Sequence, residues 1–167
     1  RAGLVGEDGP THSGNYDLTY LRCIPNMIIA VPADENEARM LLTTTFNHNG
    51  PAAVRYPRGG VFNADIDLEL KSLEVGKGRV INSMDSDLLV LNFGTLIATS
   101  EEVAKELNAT LLDMRFVKPL DKELIAEHSK TKKSIITIED GAITGGAGSA
   151  VSEWAQENKI NAQIIIC

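Results

Sequence analysis

Residues 87–114, DLLVLNFGTLIATSEEVAKELNATLLDM, decide the fold of this 167-residue chain. The first seven and the last five of these residues form short apolar runs that are typical of buried β-strands. Thr99 and Glu102 have the spacing of a capping box, and Val103 and Leu107 continue one apolar helical face. Strand, helix and strand in this order indicate a right-handed crossover between parallel strands.

The same alternation continues along the chain. Further apolar strands are predicted at residues 26–32, 52–56, 78–82, 134–138 and 163–167. Helices are predicted to begin at Asp34, which has capping-box spacing to Glu37, at Asp121 and near Gly148. Because the strands are apolar on both faces, we expect a three-layer α/β/α fold with mostly parallel sheets.

The alternation of strands and helices along the chain also predicts where the loops and the structural units lie. Residues 92–95 and 139–146 should meet at the carboxyl edge of one sheet. Residues 60–77 show neither helical nor strand periodicity, so we interpret them as a linker between units at 1–59 and 78–167. In the helix after Asp34, helical spacing predicts one buried face, made of Ala38, Leu41, Leu42, Thr45 and Phe46.

Composition limits the classes of partner. Hydrophobic residues make up 43% of the chain, enough for a core, and the formal net charge is -7. An acidic chain without a Lys/Arg block argues against non-specific binding to nucleic acid or to an anionic membrane. Cys23 and Cys167 match no metal-site spacing and are expected to be reduced thiols of a cytoplasmic protein.

The opening loop, RAGLVGEDGPTHSG at residues 1–14, carries the first candidates for chemistry. Its four glycines and one proline prevent a helix or a long strand and let backbone approach a ligand closely. His12 lies near Asp8 and is equally compatible with proton exchange near neutral pH and with a solvated loop histidine. Asp8 is either an acceptor for a substrate hydroxyl or part of an Asp-Gly turn, and without further context the turn is favoured.

Two cations follow the predicted strand at residues 52–56. The guanidinium fork binds phosphate through paired hydrogen bonds, which makes Arg58 a candidate phosphate anchor. Strand alternation places Arg55 and Arg58 on different sides, so one can face a ligand while the other forms a structural ion pair. Arg1 would add a second cation if its loop folds back.

Residues 141–149, GAITGGAGS, are similar to an anion-binding loop before a helix. They lack the Gly-Lys-Ser/Thr ending of a P-loop and the spacing of the dinucleotide fingerprint. A tight strand-to-helix turn is therefore the favoured interpretation.

Taken together, these motifs resemble the family of 1-deoxy-D-xylulose-5-phosphate synthases, thiamine-diphosphate enzymes related to transketolase. The matching segments run in the family's order over nearly the whole chain. They are residues 1–37, GPAAVRYPRG at 50–59, LNFGT at 91–95, LLDMRFVKPLD at 111–121 and IEDGAITGGAGS at 138–149.

The resemblance implies that residues 1–59 are the second half of a pyrimidine-binding domain and 78–167 most of a transketolase-type C-terminal domain. It implies a cytoplasmic homodimer that uses thiamine diphosphate and Mg²⁺ to condense pyruvate with D-glyceraldehyde 3-phosphate, releasing carbon dioxide, for isoprenoid, thiamine and pyridoxal synthesis. Arg1 and Arg58 are implied to bind the acceptor phosphate. Asp8 and His12 are implied to contact the reacting carbonyl and hydroxyls.

The resemblance also implies that the cofactor-activating glutamate and the metal and diphosphate motif lie upstream of this segment, and the end of the C-terminal domain beyond it. We therefore assign no cofactor or metal ligand within it and expect the segment alone to be inactive. Two alternatives remain: an assembly module, and a related thiamine enzyme with another acceptor.

Overall fold

The computed structural model describes residues 1–59 and 66–167. Its helices are α1 (Asp17–Arg22), α2 (Glu35–Phe46), α3 (Ile97–Glu106), α4 (Lys122–Ser129) and α5 (Ala147–Glu157), and a short 3-10 turn spans Gly6–Asp8. Its strands are β1 (Ile28–Ala30), β2 (Ala52–Val54), β3 (Arg79–Asn82), β4 (Leu88–Phe93), β5 (Thr110–Asp113), β6 (Phe116–Lys118), β7 (Ser134–Glu139) and β8 (Gln163–Ile166). No helix in the described ranges is long and apolar enough to cross a bilayer.

A five-stranded sheet in the order β3-β5-β4-β7-β8 forms the larger part of the structure. Its strands are parallel except for β3, so the predicted three-layer, mostly parallel fold is confirmed. Alternate residues of β4 face opposite layers. Leu89 and Leu91 pack in the cluster that contains Trp154 of α5, whereas Val90 packs with Ala104 of α3.

The register of the sheet brings the predicted loops together. Phe93 at the end of β4 pairs with Glu139 at the end of β7. The loops that follow these strands therefore share the carboxyl edge, as the crossover rule requires.

A second, three-stranded sheet has the order β2-β1-β6. Strand β1 is buried throughout, runs parallel to β2 and pairs antiparallel with β6. The sequence analysis did not predict β6, because three residues between Arg115, at φ 55°, and Pro119 are too short for a periodic signal. This pairing joins one strand from each side of the linker predicted at residues 60–77, and we keep the division into two units there as a proposal. Residues 60–65 lie outside the described ranges.

Two of the three predicted helix caps are present. The Asp34 carboxylate accepts the Glu37 N–H at 2.8 Å, and Asp121 accepts the Leu124 N–H at 3.1 Å. The capping box predicted at Thr99 is wrong, because α3 begins at Ile97 and has no side-chain cap. The chain leaves β4 and enters the helix almost at once, which places Thr99 inside the first turn.

The predicted buried face of α2 is partly wrong. Leu41 is fully buried, but Leu42 is 61% and Phe46 is 86% exposed. The buried stripe instead consists of Glu37, Leu41 and Thr44. Glu37 takes an inward position because two guanidinium groups neutralise its carboxylate there, and this turns the apolar residues at 42 and 46 outward.

That carboxylate belongs to a buried ion network between the two sheets. Glu37 Oε1 lies 2.6 Å from Arg115 Nε and 3.1 Å from Arg79 Nη2. Arg79 Nε lies 3.0 Å from Asp113 Oδ2, and Asn92 donates to Asp113 Oδ1 at 3.2 Å. Burial, together with the negative charge of Glu37, raises the pKa of Asp113 to about 7.

The raised pKa of Asp113 predicts a pH dependence of stability. Between the unfolded aspartate pKa of about 3.9 and the folded pKa of about 7, the folded protein retains a proton that the unfolded chain has lost. The share of the free energy of unfolding due to Asp113 should therefore fall as pH rises through this window, by up to about 1.4 kcal/mol per pH unit.

Asp113→Asn should remove this share, because the amide does not ionise. The check is urea unfolding of both proteins at four pH values from about 5 to 8. The exposed Asp87 provides the control, since Asp87→Asn should keep the wild-type slope. Identical slopes for wild type and Asp113→Asn would contradict the assignment.

Candidate active site

The opening loop folds back onto the exit of β2. The Ala2 N–H donates to the Tyr56 carbonyl at 2.9 Å, and the Gly14 N–H donates to the Gly3 carbonyl at 3.0 Å. Gly3 and Gly14 form an isolated antiparallel bridge that closes the loop at its base. Only glycine fits at position 14, because a Cβ there would lie 1.6 Å from the Arg1 carbonyl oxygen.

Asp8 and Arg58 come into direct contact at this loop. Arg58 Nη1 lies 2.6 Å from Asp8 Oδ2, and it also donates to the Val5 carbonyl at 3.4 Å. The Arg58 side chain is 41% exposed and the Asp8 side chain 33%. Solvent therefore screens the ion pair, and the attraction between the two charges is weak. The Arg58 fork is therefore available to an anionic ligand that competes with Asp8.

His12 lies in the turn that follows Asp8. The backbone N–H of His12 donates to the Gly9 carbonyl at 3.2 Å, and the ring Nδ1 lies 3.0 Å from Thr11 Oγ1. The residue is exposed. Arg1 is also exposed, and its backbone packs against Gly14 at the base of the same loop. The structure thus places all four predicted site residues on or beside one folded-back loop, with a side-chain contact between Asp8 and Arg58.

Arg55 points the other way and is buried. Its Nε lies 2.7 Å from Asp17 Oδ2, its Nη1 pairs with Asp140 Oδ1, and its Nη2 donates to the carbonyls of Gly14 and Asp140. Burial by itself lowers the pKa of Arg55, but the charges of Asp140 and Asp17 outweigh it and raise the pKa. Of the two arginines, Arg55 is the structural one and Arg58 faces the surface.

The glycine-rich segment 141–149 forms a tight turn into α5, and a carboxylate of the chain itself binds the start of that helix. The Glu139 carboxylate accepts the N–H groups of Ala147 and Gly148, both at 2.8 Å, at the start of α5. A Cβ at Gly146 would lie 2.6 Å from that carboxylate. Burial raises the pKa of Glu139 despite these hydrogen bonds. Sequence reasoning missed this cap, because the first N–H that the carboxylate accepts lies eight positions further along the chain.

The described residues do not fit a bound Mg²⁺ or diphosphate. Residues 1–59 and 66–167 hold no group of three or more His, Cys, Asp or Glu side chains arranged to bind a metal. The glycine-rich helix start, where a diphosphate would meet free N–H groups, is occupied by Glu139.

Comparison with known proteins identifies the class. The model of the transketolase pyrimidine-binding domain matches residues 1–62, and the model of the transketolase C-terminal domain matches residues 76–165. The chain belongs to the transketolase family.

Within that family the chain is similar to 1-deoxy-D-xylulose-5-phosphate synthases, as its motifs predicted. It is 56% identical to that synthase of Pseudomonas fluorescens over 159 residues, which cover 95% of this chain and 25% of the relative. It is 54% identical to the synthase of Cellvibrio japonicus over 160 residues, 96% of this chain and 25% of that protein. The chain spans about a quarter of the length of these relatives.

Solved structures agree with the fold. A split-gene transketolase, described as an inactive beta4 tetramer, superposes with a TM-score of 0.82 at 31% identity, covering 93% of this chain and 52% of that one. Transketolase from Campylobacter jejuni superposes with a TM-score of 0.57 at 17% identity, and the superposition covers 90% of this chain and 27% of that transketolase chain. The second similarity shows the fold alone.

The cap of α5 provides a test of how the candidate site is supported. Glu139→Gln should lower the free energy of unfolding by about 1–3 kcal/mol, because the amide group cannot accept both helix N–H bonds and leaves one buried donor unpaired. Urea unfolding measures the loss. Glu153→Gln, an exposed carboxylate on the same helix, should cost at most about 1 kcal/mol. Equal losses in the two variants would contradict the buried cap.

Proposed function

We propose that this chain forms the acceptor-binding part of a 1-deoxy-D-xylulose-5-phosphate synthase. The complete protein would condense pyruvate with D-glyceraldehyde 3-phosphate and release carbon dioxide. Thiamine diphosphate and Mg²⁺, held mostly by residues outside this chain, would supply the carbanion chemistry. The observation that carries the proposal is the Asp8–Arg58 pair, formed on the loop that also carries His12, in a chain 56% identical to such a synthase.

Arg58 is proposed to bind the phosphate of the acceptor. A phosphate offers the guanidinium fork two oxygens and more negative charge than one carboxylate, so it can displace Asp8 from the solvent-screened pair. Arg1, on the opening loop that carries Asp8, would add a second positive charge. Displacement leaves the Asp8 carboxylate free to accept a hydrogen bond from an acceptor hydroxyl.

His12 is proposed to donate a proton to the aldehyde oxygen as the new carbon–carbon bond forms. An imidazole ordinarily titrates close to neutral pH, which suits it to this transfer. Its exposed position in the turn after Asp8 leaves the ring accessible to a substrate. The carboxylate and the imidazole then approach the acceptor from the same loop.

An assembly role is the second candidate. It is supported by the exposed apolar side chains of Leu42 and Phe46 on α2 and by the tetramer described for the split-gene transketolase. That relative is also described as inactive, which supports our expectation that these 167 residues alone do not turn over. The two roles call on different residues, Leu42 and Phe46 for assembly and Asp8, His12 and Arg58 for the reaction. A cytoplasmic homodimer belongs to the same proposal.

Removing the Arg58 fork in the complete protein should affect phosphorylated acceptors selectively. Arg58→Ala should raise KM for glyceraldehyde 3-phosphate about 10- to 100-fold, since a charge-assisted hydrogen bond contributes about 1.5–3 kcal/mol. The reaction of unphosphorylated D-glyceraldehyde should change little. Chromatographic measurement of product from pyruvate and each acceptor tests this, with Arg39→Ala on α2 as the control.

Two results would count against these assignments. A wild-type protein that makes no 1-deoxy-D-xylulose 5-phosphate from these substrates, or prefers another acceptor, would contradict the proposed reaction. Equal losses with both acceptors would remove Arg58 from phosphate binding.

His12→Ala in the complete protein should lower kcat about 10²- to 10⁴-fold, the usual effect of removing a general acid. Steady-state kinetics at saturating pyruvate and glyceraldehyde 3-phosphate measure the change. His48→Ala, in the turn after α2, serves as the matched control and should stay within about twofold of wild type. A His12 variant as fast as wild type would leave this residue a solvated loop histidine.

A further inference from the structure

Arg55 connects three separate parts of the chain around the candidate site. It lies just after β2, Gly14 and Asp17 belong to the opening segment, and Asp140 follows β7. We infer that Arg55 is a positioning residue that sets where the turn carrying Asp8 and His12 lies. The catalytic consequence of this inference rests on the proposed function.

The contacts run from Arg55 to the base of the loop. Arg55 Nη2 donates to the Gly14 carbonyl, and the Gly14 N–H donates to the Gly3 carbonyl at 3.0 Å. Gly14 follows His12 by two residues, so both ends of the loop close at a residue that Arg55 holds. Arg58 leaves the same strand exit three residues later. Arg55 therefore sets the distance between the two halves of the site.

A second contact holds the chain just beyond the loop. Arg55 Nε lies 2.7 Å from Asp17 Oδ2 at the start of α1. The other oxygen, Asp17 Oδ1, is buried and has no hydrogen-bond partner within the described part of the chain. The orientation of Asp17 therefore depends on Arg55.

The third contact ties this arrangement to the larger sheet. Arg55 binds both the carboxylate and the carbonyl of Asp140, in the loop between β7 and α5. A cleft of about 420 Å³ is bordered by Gly3, Asn15 and Asp140, so the opening loop and the β7–α5 loop face the same space. Through Arg55 and Asp140, the position of the opening loop is fixed relative to the carboxyl edge of the five-stranded sheet.

The geometry requires a guanidinium. Three nitrogens in one plane serve two carboxylates and two carbonyls, and the side chain is 3% exposed, so water cannot replace a lost donor. A lysine ammonium has the charge but only three donors in tetrahedral directions. Arg55→Lys should keep the buried charge and lose part of the fixed geometry.

The test is a double-mutant cycle in the complete protein. Arg55→Lys should lower kcat with glyceraldehyde 3-phosphate at least 10-fold in the wild-type background. In the His12→Ala background the same change should lower kcat by a clearly smaller factor, because one of the groups that it misplaces is already absent while Asp8 remains. Arg79→Lys, whose ion pairs with Asp34, Glu37 and Asp113 do not include the opening loop, is the matched control and should keep kcat within twofold.

Equal effects of Arg55→Lys in both backgrounds would overturn the inference, as would the same loss of kcat in Arg79→Lys. Amide hydrogen exchange supplies a readout that needs no activity. Arg55→Lys should speed exchange at His12 and Gly14 and leave α3 unchanged, and unchanged exchange in the loop would also overturn the inference. If the wild-type protein lacks synthase activity, the proposed function fails while exchange still decides whether Arg55 holds the loop.

Discussion

A cation removed from water must find its counter-charges inside the protein, and the structure around the candidate site depends on this requirement at Arg55. Desolvating an unpaired guanidinium costs several kcal/mol, and removing one partner of a buried pair leaves that cost uncompensated. The chain meets the requirement with Asp17 and Asp140, which are 38 and 85 residues away from Arg55 in sequence. Satisfying one side chain thus brings the opening loop, the β2 exit and the β7–α5 loop together.

The same principle explains the contact between the two sheets. Glu37, Arg79, Asp113 and Arg115 neutralise one another where α2 meets β3, β5 and the start of β6. The raised pKa of Asp113 shows that the compensation is incomplete for that carboxyl. Together with the β1–β6 pairing, this network makes the two parts of the chain structurally dependent on each other across the predicted linker.

Local patterns predicted most of the secondary structure, because strands and helices record their burial in the spacing of apolar residues. The caps at Asp34 and Asp121 followed from the same local logic, since the accepting carboxylate and the N–H that donates to it lie three residues apart. Errors arose where a tertiary contact overrode the pattern. Phe46 lies outward because Glu37 is drawn inward, and β6 exists because β1 offers it a partner.

For the candidate site, the residue types and motifs in the sequence were sufficient to select Arg1, Asp8, His12 and Arg58 and to indicate the family. The sequence also predicted that Arg55 and Arg58 face different sides, and they do, but β2 ends at Val54, so the reason is the buried partners of Arg55 and not alternation along the strand. Only the tertiary structure decided which arginine is buried, that Asp8 pairs with Arg58, and that Glu139 fills the start of α5. The physical reason is range: apolar periodicity and capping act over a few residues, whereas counter-charges for buried groups come from whichever distant segments the fold brings within hydrogen-bond distance.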